Sequence, residues 1–386
     1  MHVGRSKFIV KHPASKIRFL YPRCAFPLAL CLALFCLFSQ SFPAQAGGIV
    51  HLYGWTGYVD PKALEDFTKE TGIKVSYDGY QSEETAGTLL KAGRSGYDVV
   101  IVSGRLLQRE IAEGLYLKLD QTRLPNSQGV WPQIRVQLSV LDPGNQYAVN
   151  YLWATIGLAY NMEKVKELVG DADLLDSWGL VFRPEVVKKF SGCGVKLPDS
   201  AEDLFAIALW LLRQEPASAK PADIRRAADV LNGIRRSVQS YDRDIADALV
   251  NGDVCLAVAD SGETFQARDR AREAEAEVEI DYSLPREGAP LLVDNLAILK
   301  DAEHVAEAYA LIDYLLRPAI AARNTNFTHR ANSIPASLPS IDKAIATNPA
   351  IYPPAPLMER LFVPAFKDAG VQKYLAKEWA QIKSGK

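Results

Sequence analysis

Acidic side chains follow several apolar segments that predict buried strands. Asp260 and Glu263 come after residues 254–259, and Asp294 comes after residues 291–293. A small organic cation needs such groups, because carboxylates pair with each ammonium and an aromatic face supplies a cation–π contact. Each acid taken singly is better explained as an ordinary surface residue. The hypothesis of a cation site therefore depends on the recurrence of acids at strand ends.

Trp55, Thr56 and Tyr58 supply the aromatic part of this hypothesis. The segment that ends at Trp55 is apolar and predicts a buried strand, which leads through a short loop into a helix. Asp60 can cap that helix, and Pro61 suits its first turn. Ligands of open α/β sheets lie beyond the carboxyl ends of strands, so we expect these side chains to face a cleft. The alternative is that Trp55 and Tyr58 are core aromatics.

The rest of the chain alternates predicted strands with predicted helices. Strands at 73–77 and 97–102 are each followed by a helix, a pattern that predicts βαβ units and a mostly parallel sheet. Residues 147–160 are long, apolar and extended, and we expect them to pass from one lobe to another. About 340 residues beyond the leader exceed one ordinary domain and predict two lobes.

The first 46 residues predict a secretory signal peptide. They contain six basic residues and no acidic one, then an apolar run over 25–38 and the cleavage pattern Ala44-Gln45-Ala46. The apolar run is too short for a comfortable membrane span. We therefore expect an exported protein without stable membrane insertion.

Charge and cysteine content narrow the class of protein further. Without the six basic residues of the leader, 38 basic and 46 acidic residues remain, a net charge of about −8 that disfavours nucleic-acid binding. Cys193 and Cys255 are the two cysteines beyond the leader. An exported pair is typical of one disulfide, and two separately buried thiols are the alternative.

Motifs for catalysis are lacking in the sequence. It contains no G-x-S-x-G elbow, P-loop or dinucleotide-binding fingerprint. The histidines beyond the leader are too widely spaced for a metal motif, and they are His51, His304 and His329. We expect no metal, no cofactor and no enzymatic activity.

A wider set of motifs spans the chain beyond the leader. It comprises YGWTGY at 53–58, LWATIG at 152–157, YN at 160–161, DSW at 176–178, CGV at 193–195, NGDVC at 251–255, PREG at 285–288, YLLRP at 314–318, NPAIYPP at 348–354 and KSGK at 383–386. On these motifs the sequence resembles the periplasmic putrescine/spermidine-binding proteins of polyamine ABC importers.

The resemblance implies an α/β, two-lobed periplasmic-binding-protein fold of type II-like organisation, with discontinuous lobes joined by a hinge. It also implies that Cys193 and Cys255 form a disulfide. Each expected lobe is built from two segments of the chain: lobe 1 comprises 47–152 plus 274–335, and lobe 2 comprises 153–273 plus 336–386.

The family's binding pocket is similar at seven positions of this sequence. The resemblance implies that aromatic, hydroxyl and acidic side chains bind the ligand there, and they are Trp55, Thr56, Tyr58, Ser103, Asp203, Glu263 and Asp294. The three acids correspond to the partners of the ligand ammonium groups.

Four further pocket positions depart from the family's pattern. Asp260 replaces a tryptophan and Leu292 a phenylalanine, while Arg330 replaces a tyrosine and Arg105 a small or aromatic residue. The two arginines could be neutralised by Asp260 and Glu263, which leaves room for a short diamine. They could equally bind a ligand carboxylate through bidentate contacts.

The resemblance implies a periplasmic solute-binding protein, expected to be a monomer. It would capture a polyamine-type small cation, putrescine- or spermidine-like, and deliver it to an inner-membrane ABC permease and its ATPase. One alternative keeps the scaffold but binds a zwitterionic amino acid or ω-amino acid through Arg105 and Arg330. Another is a ligand-sensing subunit without transport. A periplasmic enzyme has no nucleophile–base pair to support it.

Overall fold

The computed structural model describes residues 47–242, 244–365 and 368–385, so the predicted signal peptide lies outside the described residues. The strands of the described part are β1 Ile49–Trp55, β2 Lys74–Tyr80, β3 Val99–Ser103, β4 Ala148–Asn161, β5 Val195–Leu197, β6 Ser240–Tyr241, β7 Leu256–Asp260, β8 Ile280–Ser283, β9 Leu291–Ile298 and β10 Ala331–Asn332.

Helices surround these strands. They are α1 Pro61–Thr71, α2 Glu83–Lys91, α3 Gly104–Glu113, α4 Pro132–Ser139, α5 Met162–Val169, α6 Gly179–Phe182, α7 Pro184–Val187, α8 Ala201–Leu211, α9 Pro221–Ile234, α10 Ile245–Val250, α11 Ser261–Glu273, α12 Val305–Leu315, α13 Pro318–Thr328, α14 Lys343–Ala346, α15 Ala355–Met358 and α16 Ala369–Ser384. In residues 47–242, 244–365 and 368–385, every helix falls short of the length and hydropathy that crossing a bilayer requires.

Strand β4 belongs to two sheets. Its residues 148–155 pair with β9, and its residues 156–161 pair with β7 and β8. The prediction of one long extended segment at 147–160 is confirmed, because β4 covers nearly the same residues and is buried along almost its whole length. The lobe boundaries stay a prediction.

The first sheet has the order β2-β1-β3-β9-β4, and β10 adds to β4. β1 pairs in parallel with β2 and β3, as the alternating pattern predicts. β9 runs antiparallel to both β3 and β4. The prediction of a mostly parallel sheet is therefore wrong around β9, because that strand returns to the first sheet from a distant part of the chain.

The second sheet has the order β4-β7-β5-β6, with β8 also paired to β4. β5 and β7 are parallel neighbours, and the residues just before them bring two cysteines together. Cys193 and Cys255 form a disulfide with Cα atoms 5.6 Å apart, which confirms the predicted bridge.

Both faces of the first sheet are covered by apolar side chains. Along β1, Leu52 points into one buried cluster with Phe67 and Tyr314, while the next residue, Tyr53, points into another with Tyr80. This alternation follows from the two-residue repeat of a strand. A burial pattern of this kind leaves the strand ends as the place where polar side chains can gather.

Local signals place the first helix as predicted. Asp60 accepts a hydrogen bond from the Lys62 backbone N–H and caps α1, and Gly72 ends the helix with a φ of 73°. Because α1 begins shortly after β1 ends, the loop between them is held at both sides. This loop carries Thr56 and Tyr58.

Candidate functional site

The guanidinium of Arg330 lies inside a group of acids, here called the Arg330 cage. Its Nη1 lies 2.8 Å from Asp260 Oδ2 and 4.0 Å from Asp294 Oδ2, and its Nη2 lies 4.0 Å from Glu263 Oε1. The guanidinium carbon lies 4.7 Å from the centre of the Tyr58 ring. Arg330 itself is only 4 % exposed. In the cage, carboxylates and an aromatic face therefore surround one positive charge.

Elements of both sheets position the cage. Asp260 ends β7 in the second sheet and caps α11, since its Oδ1 accepts a hydrogen bond from the Glu263 backbone N–H at 3.0 Å. Asp294 lies in β9 of the first sheet, paired in register with Ser103 at the end of β3. Arg330 immediately precedes β10, which pairs with β4. The prediction of acids at strand ends is confirmed for Asp260 and is wrong for Asp294, which lies inside β9, and for Glu263, which lies in the first turn of α11. The three acids nevertheless meet around Arg330.

Burial shapes the electrostatics of the cage. It raises the pKa of Asp294 to about 7, although the positive charge of Arg330 acts in the opposite direction. Burial lowers the pKa of Arg330, but the carboxylates of Asp260 and Asp294 outweigh it, so the net shift is upward and the guanidinium stays charged. In the described part of the chain, no three His, Cys, Asp or Glu side chains are arranged to hold a metal ion.

Trp55 and Thr56 line the loop beside the cage. The Trp55 ring lies 4.5 Å from the Tyr80 ring and 6.1 Å from the Tyr58 ring. The Trp55 indole Nε1 is buried and makes no hydrogen bond to any residue that the structure describes. Thr56 is exposed, and its hydroxyl donates to the Tyr80 carbonyl at 3.3 Å. Trp55 therefore offers an aromatic wall and an unused donor, whereas the Thr56 hydroxyl is engaged.

A second ion pair, here called the Arg105 pair, joins α3 to α8. Arg105 Nη1 lies 2.8 Å from Asp203 Oδ1, and its Nε lies 3.8 Å from Glu202 Oε2. Asp203 also accepts a hydrogen bond from the Ser200 hydroxyl at 2.6 Å. The expectation that Asp260 and Glu263 neutralise both arginines is wrong for Arg105: both acids lie beside Arg330, and Arg105 pairs with Asp203 and Glu202 instead. The reason is that Arg105 lies in the first turn of α3, beside the first turn of α8, where Asp203 lies.

Two other predicted site residues have structural contacts. The Ser103 hydroxyl accepts a hydrogen bond from the Leu106 backbone N–H at 3.3 Å and caps α3. Leu292 is half-buried in β9 and packs against the core of the second sheet. Their binding roles stay predictions.

Sequence reasoning missed Ser200 and Glu202, which take part in the Arg105 pair. The available signal was a helix start, because Ser200 caps α8 and both acids of its first turn lie beside the cap. It also missed Tyr80, which lies at the end of β2 against Trp55 and gives no sequence signal beyond its position.

Comparisons with known proteins agree with this architecture. Residues 62–353 match the model of the bacterial extracellular solute-binding protein family. The chain is 40 % identical to the putrescine-binding periplasmic protein SpuD of Pseudomonas aeruginosa strain UCBPP-PA14, over 92 % of this chain and 98 % of that protein. It is 36 % identical to the putrescine-binding periplasmic protein PotF of Escherichia coli K12, over 87 % and 92 % of the two chains.

Solved structures show the same fold. A spermidine/putrescine substrate-binding protein PotD of Streptococcus pneumoniae superimposes with a TM-score of 0.77 and 24 % identity, covering 88 % of this chain and 99 % of that one. A protein of Listeria monocytogenes described as a spermidine/putrescine ABC transporter gives a TM-score of 0.72 and 27 % identity, covering 88 % and 100 %. The expected two-lobed, type II-like periplasmic-binding-protein fold is thereby confirmed, and the chain belongs to the bacterial extracellular solute-binding protein family.

Proposed function

We propose that this protein captures a polyamine-type small cation, putrescine- or spermidine-like, between two lobes. It then delivers the ligand to an inner-membrane ABC permease and its ATPase. The relatives SpuD and PotF are putrescine-binding periplasmic proteins by name, and both are similar to nearly the whole chain. The same similarity supports a periplasmic location and binding rather than catalysis.

One observation carries the choice of a cationic ligand. The Arg330 cage brings Asp260, Glu263 and Asp294 around an aromatic face, and these acids come from both sheets. Three carboxylates outnumber the one guanidinium among them, so the cage keeps an excess of negative charge. An amine entering this region gains charge-assisted hydrogen bonds, and an anion is repelled.

Binding at this place favours a closed form of the protein. Trp55 and Tyr58 belong to the end of β1 and the loop after it in the first sheet, while Asp260 and Glu263 belong to the second. A ligand that contacts both sets gains its full interaction energy only when they approach each other. Closure is therefore the signal that a permease can recognise. Ser103, Asp203, Leu292 and Thr56 complete the proposed binding surface.

The zwitterion alternative receives less support from the contacts. Its recognition of a ligand carboxylate requires the guanidiniums of Arg105 and Arg330 to be available. Each of them instead lies 2.8 Å from a carboxylate of the chain, Asp203 or Asp260. A ligand carboxylate must displace one of these partners and enter an acidic surrounding. We therefore retain the amine as the proposed ligand.

The other parts of the proposal concern export and assembly. The leader of residues 1–46 is proposed as a cleaved signal peptide, and the mature protein as a monomer. Size-exclusion chromatography with light scattering, together with mass determination of the protein purified from the periplasm, tests both statements.

Isothermal titration calorimetry of the purified protein tests the ligand class. The titrants are putrescine, spermidine and γ-aminobutyrate, measured at one ionic strength because electrostatic binding is screened by salt. We expect heat of binding with at least one of the amines and weaker or absent binding of γ-aminobutyrate. Tight binding of γ-aminobutyrate alone contradicts the proposal. Uptake of the labelled amine by cells with and without the gene distinguishes transport from sensing.

A further inference from the structure

We propose that Arg330 is a tethered cation that determines the charge of the ligand. Its guanidinium takes the place of one ligand ammonium in the Arg330 cage, so the cleft prefers an amine with a single ammonium group over diamines and triamines. This inference rests on the proposed function for the cationic ligand and its site, and it changes the preferred ligand from a diamine or triamine to an amine with one ammonium group.

The contacts of Arg330 are those that a bound ammonium would make. Its guanidinium has a carboxylate at hydrogen-bond distance, Asp260 Oδ2 at 2.8 Å, and two further carboxylates at 4.0 Å. It also lies over the ring of Tyr58 at 4.7 Å, within the range of a cation–π contact. The side chain is 4 % exposed. An ammonium from a ligand cannot occupy the same face of Tyr58 while the guanidinium is there.

The tether also fixes where the charge lies. Arg330 is anchored next to β10, and a Cβ added at Gly262 would lie 2.7 Å from Arg330 Cγ, so the stem of the side chain is packed against α11. Asp260, which holds the guanidinium, is itself fixed as the cap of that helix. The pair is thus a built part of the site rather than a mobile surface contact.

The charges of the cage then set the class of ligand. Asp260 lies 2.8 Å from the Arg330 guanidinium, and Glu263 and Asp294 each lie 4.0 Å from it. One ammonium can approach these two acids from the cleft. A second ammonium of the same short chain then lies near the Arg330 guanidinium, where like charges repel.

A charge-neutral double variant tests the proposal. Asp260→Asn/Arg330→Met removes one charge of each sign, and the asparagine can still cap α11. The probes are butylamine, putrescine and spermidine, which carry one, two and three amino groups, and calorimetry gives a Kd for each. In the natural protein we expect butylamine to bind at least as tightly as putrescine. In the double variant we expect the ratio of the putrescine Kd to the butylamine Kd to fall at least tenfold.

A matched control removes another ion pair of α11. Arg270 Nη1 lies 2.9 Å from Asp247 Oδ1, and both side chains are exposed. Asp247→Asn/Arg270→Met therefore changes the same charges outside the cage, and we expect it to leave the ratio unchanged. Thermal unfolding of each variant shows whether it is folded. Arg330→Lys serves as a second variant. Because it keeps the positive charge, it should keep the ratio of the putrescine Kd to the butylamine Kd of the natural protein.

The possible outcomes separate this inference from the proposed function. If amines bind but the ratio is the same in the natural protein and the double variant, the inference is overturned and the proposed function stands. The inference is overturned as well if the control shifts the ratio as much as the cage variant does. If none of the amines binds the natural protein or the double variant, both proposals fail.

Discussion

The Arg330 cage and the Arg105 pair both neutralise an arginine of the proposed binding site with acidic side chains, but they differ in burial. Arg330 is 4 % exposed and contacts three acids and an aromatic ring. The Arg105 side chain is 28 % exposed and contacts two acids of one helix turn, Asp203 and Glu202. The buried arginine is held from several elements, while the other joins α3 to α8. The first is therefore held by more contacts than the second.

The largest expected difference between the two arginines is in the free energy of unfolding of variants that lack one of them. Arg330→Met leaves the buried Asp294 and the largely buried Asp260 without their cation, and we expect a loss of about 3 kcal/mol or more in the free energy of unfolding. Arg105→Met removes a partly solvated pair, so the expected loss is about 1 kcal/mol. Urea denaturation of the two variants without ligand measures both values. Equal losses contradict the assignment of Arg330 as the fixed member.

Neutralising one acid at each place compares their shares in ligand binding. Asp294→Asn should weaken an amine by more than about tenfold, or about 1.4 kcal/mol, because this buried carboxylate lies beyond hydrogen-bond distance of Arg330. Asp203→Asn should weaken it by roughly threefold, because Asp203 already pairs with Arg105. Calorimetry gives both affinities. The exposed Asp247 provides an Asp247→Asn control, expected to bind as the natural protein does.

The pH dependence of binding follows from Asp294. Burial raises its pKa to about 7, so the carboxyl is protonated below that pH and gains its charge above it. A cationic ligand favours the ionised form, and its affinity should rise between about pH 6 and pH 8. Titrations across this range measure the slope, and Asp294→Asn should flatten it. A slope that persists in this variant assigns the titration to another group.

The stability of the ligand-free protein should change with pH in the opposite direction to its ligand affinity. Because the pKa of Asp294 is raised above its value in the unfolded chain, the folded protein binds the proton more tightly. The contribution of Asp294 to the free energy of unfolding therefore becomes less favourable as the pH rises from about 4, the pKa of an aspartate in the unfolded chain, through about 7, its pKa in the folded protein. Burial also raises the pKa of Glu110 to about 7, with the same sign. Comparing Asp294→Asn with Glu110→Gln separates the two contributions in urea denaturation.

The smallest expected effect comes from the exposed acid of the cage. Glu263 is 58 % exposed at its side chain and lies 4.0 Å from Arg330. Solvent screens such a charge, so Glu263→Gln should weaken an amine by at most about twofold. Calorimetry measures the affinity of Glu263→Gln for the amine, and the affinity of Asp294→Asn is the reference. A larger loss than that of Asp294→Asn reverses the order of the two acids.

Local sequence signals predicted the parts of the fold that depend on neighbouring residues. Asp60 and Gly72 mark the two ends of α1, and the long apolar segment forms β4. The antiparallel placement of β9 was not predictable in this way, because it is set by pairing with β3 across the sheet. A strand's own residues specify its burial and not its neighbours.

The candidate site shows the same division. Asp260 could be predicted as an acid at a strand end, whereas Asp294 lies inside β9 opposite the end of β3. The structure places both beside one guanidinium. The partner of Arg105 could not be predicted, because Asp203 is 98 residues away and its helix is oriented by the core of the second sheet. Opposite charges this far apart in the chain meet only through tertiary packing.

The continuous strand β4 has a practical consequence for engineering. Each sheet takes a central strand from the same fourteen residues, Ala148–Asn161. A gene fragment that stops within β4 deprives both products of backbone partners and exposes sheet edges prone to aggregation. Fluorescent reporters for a biosensor should therefore be inserted in surface connections. The turn at Gly170, where the chain leaves α5 with a φ of 66°, is such a place.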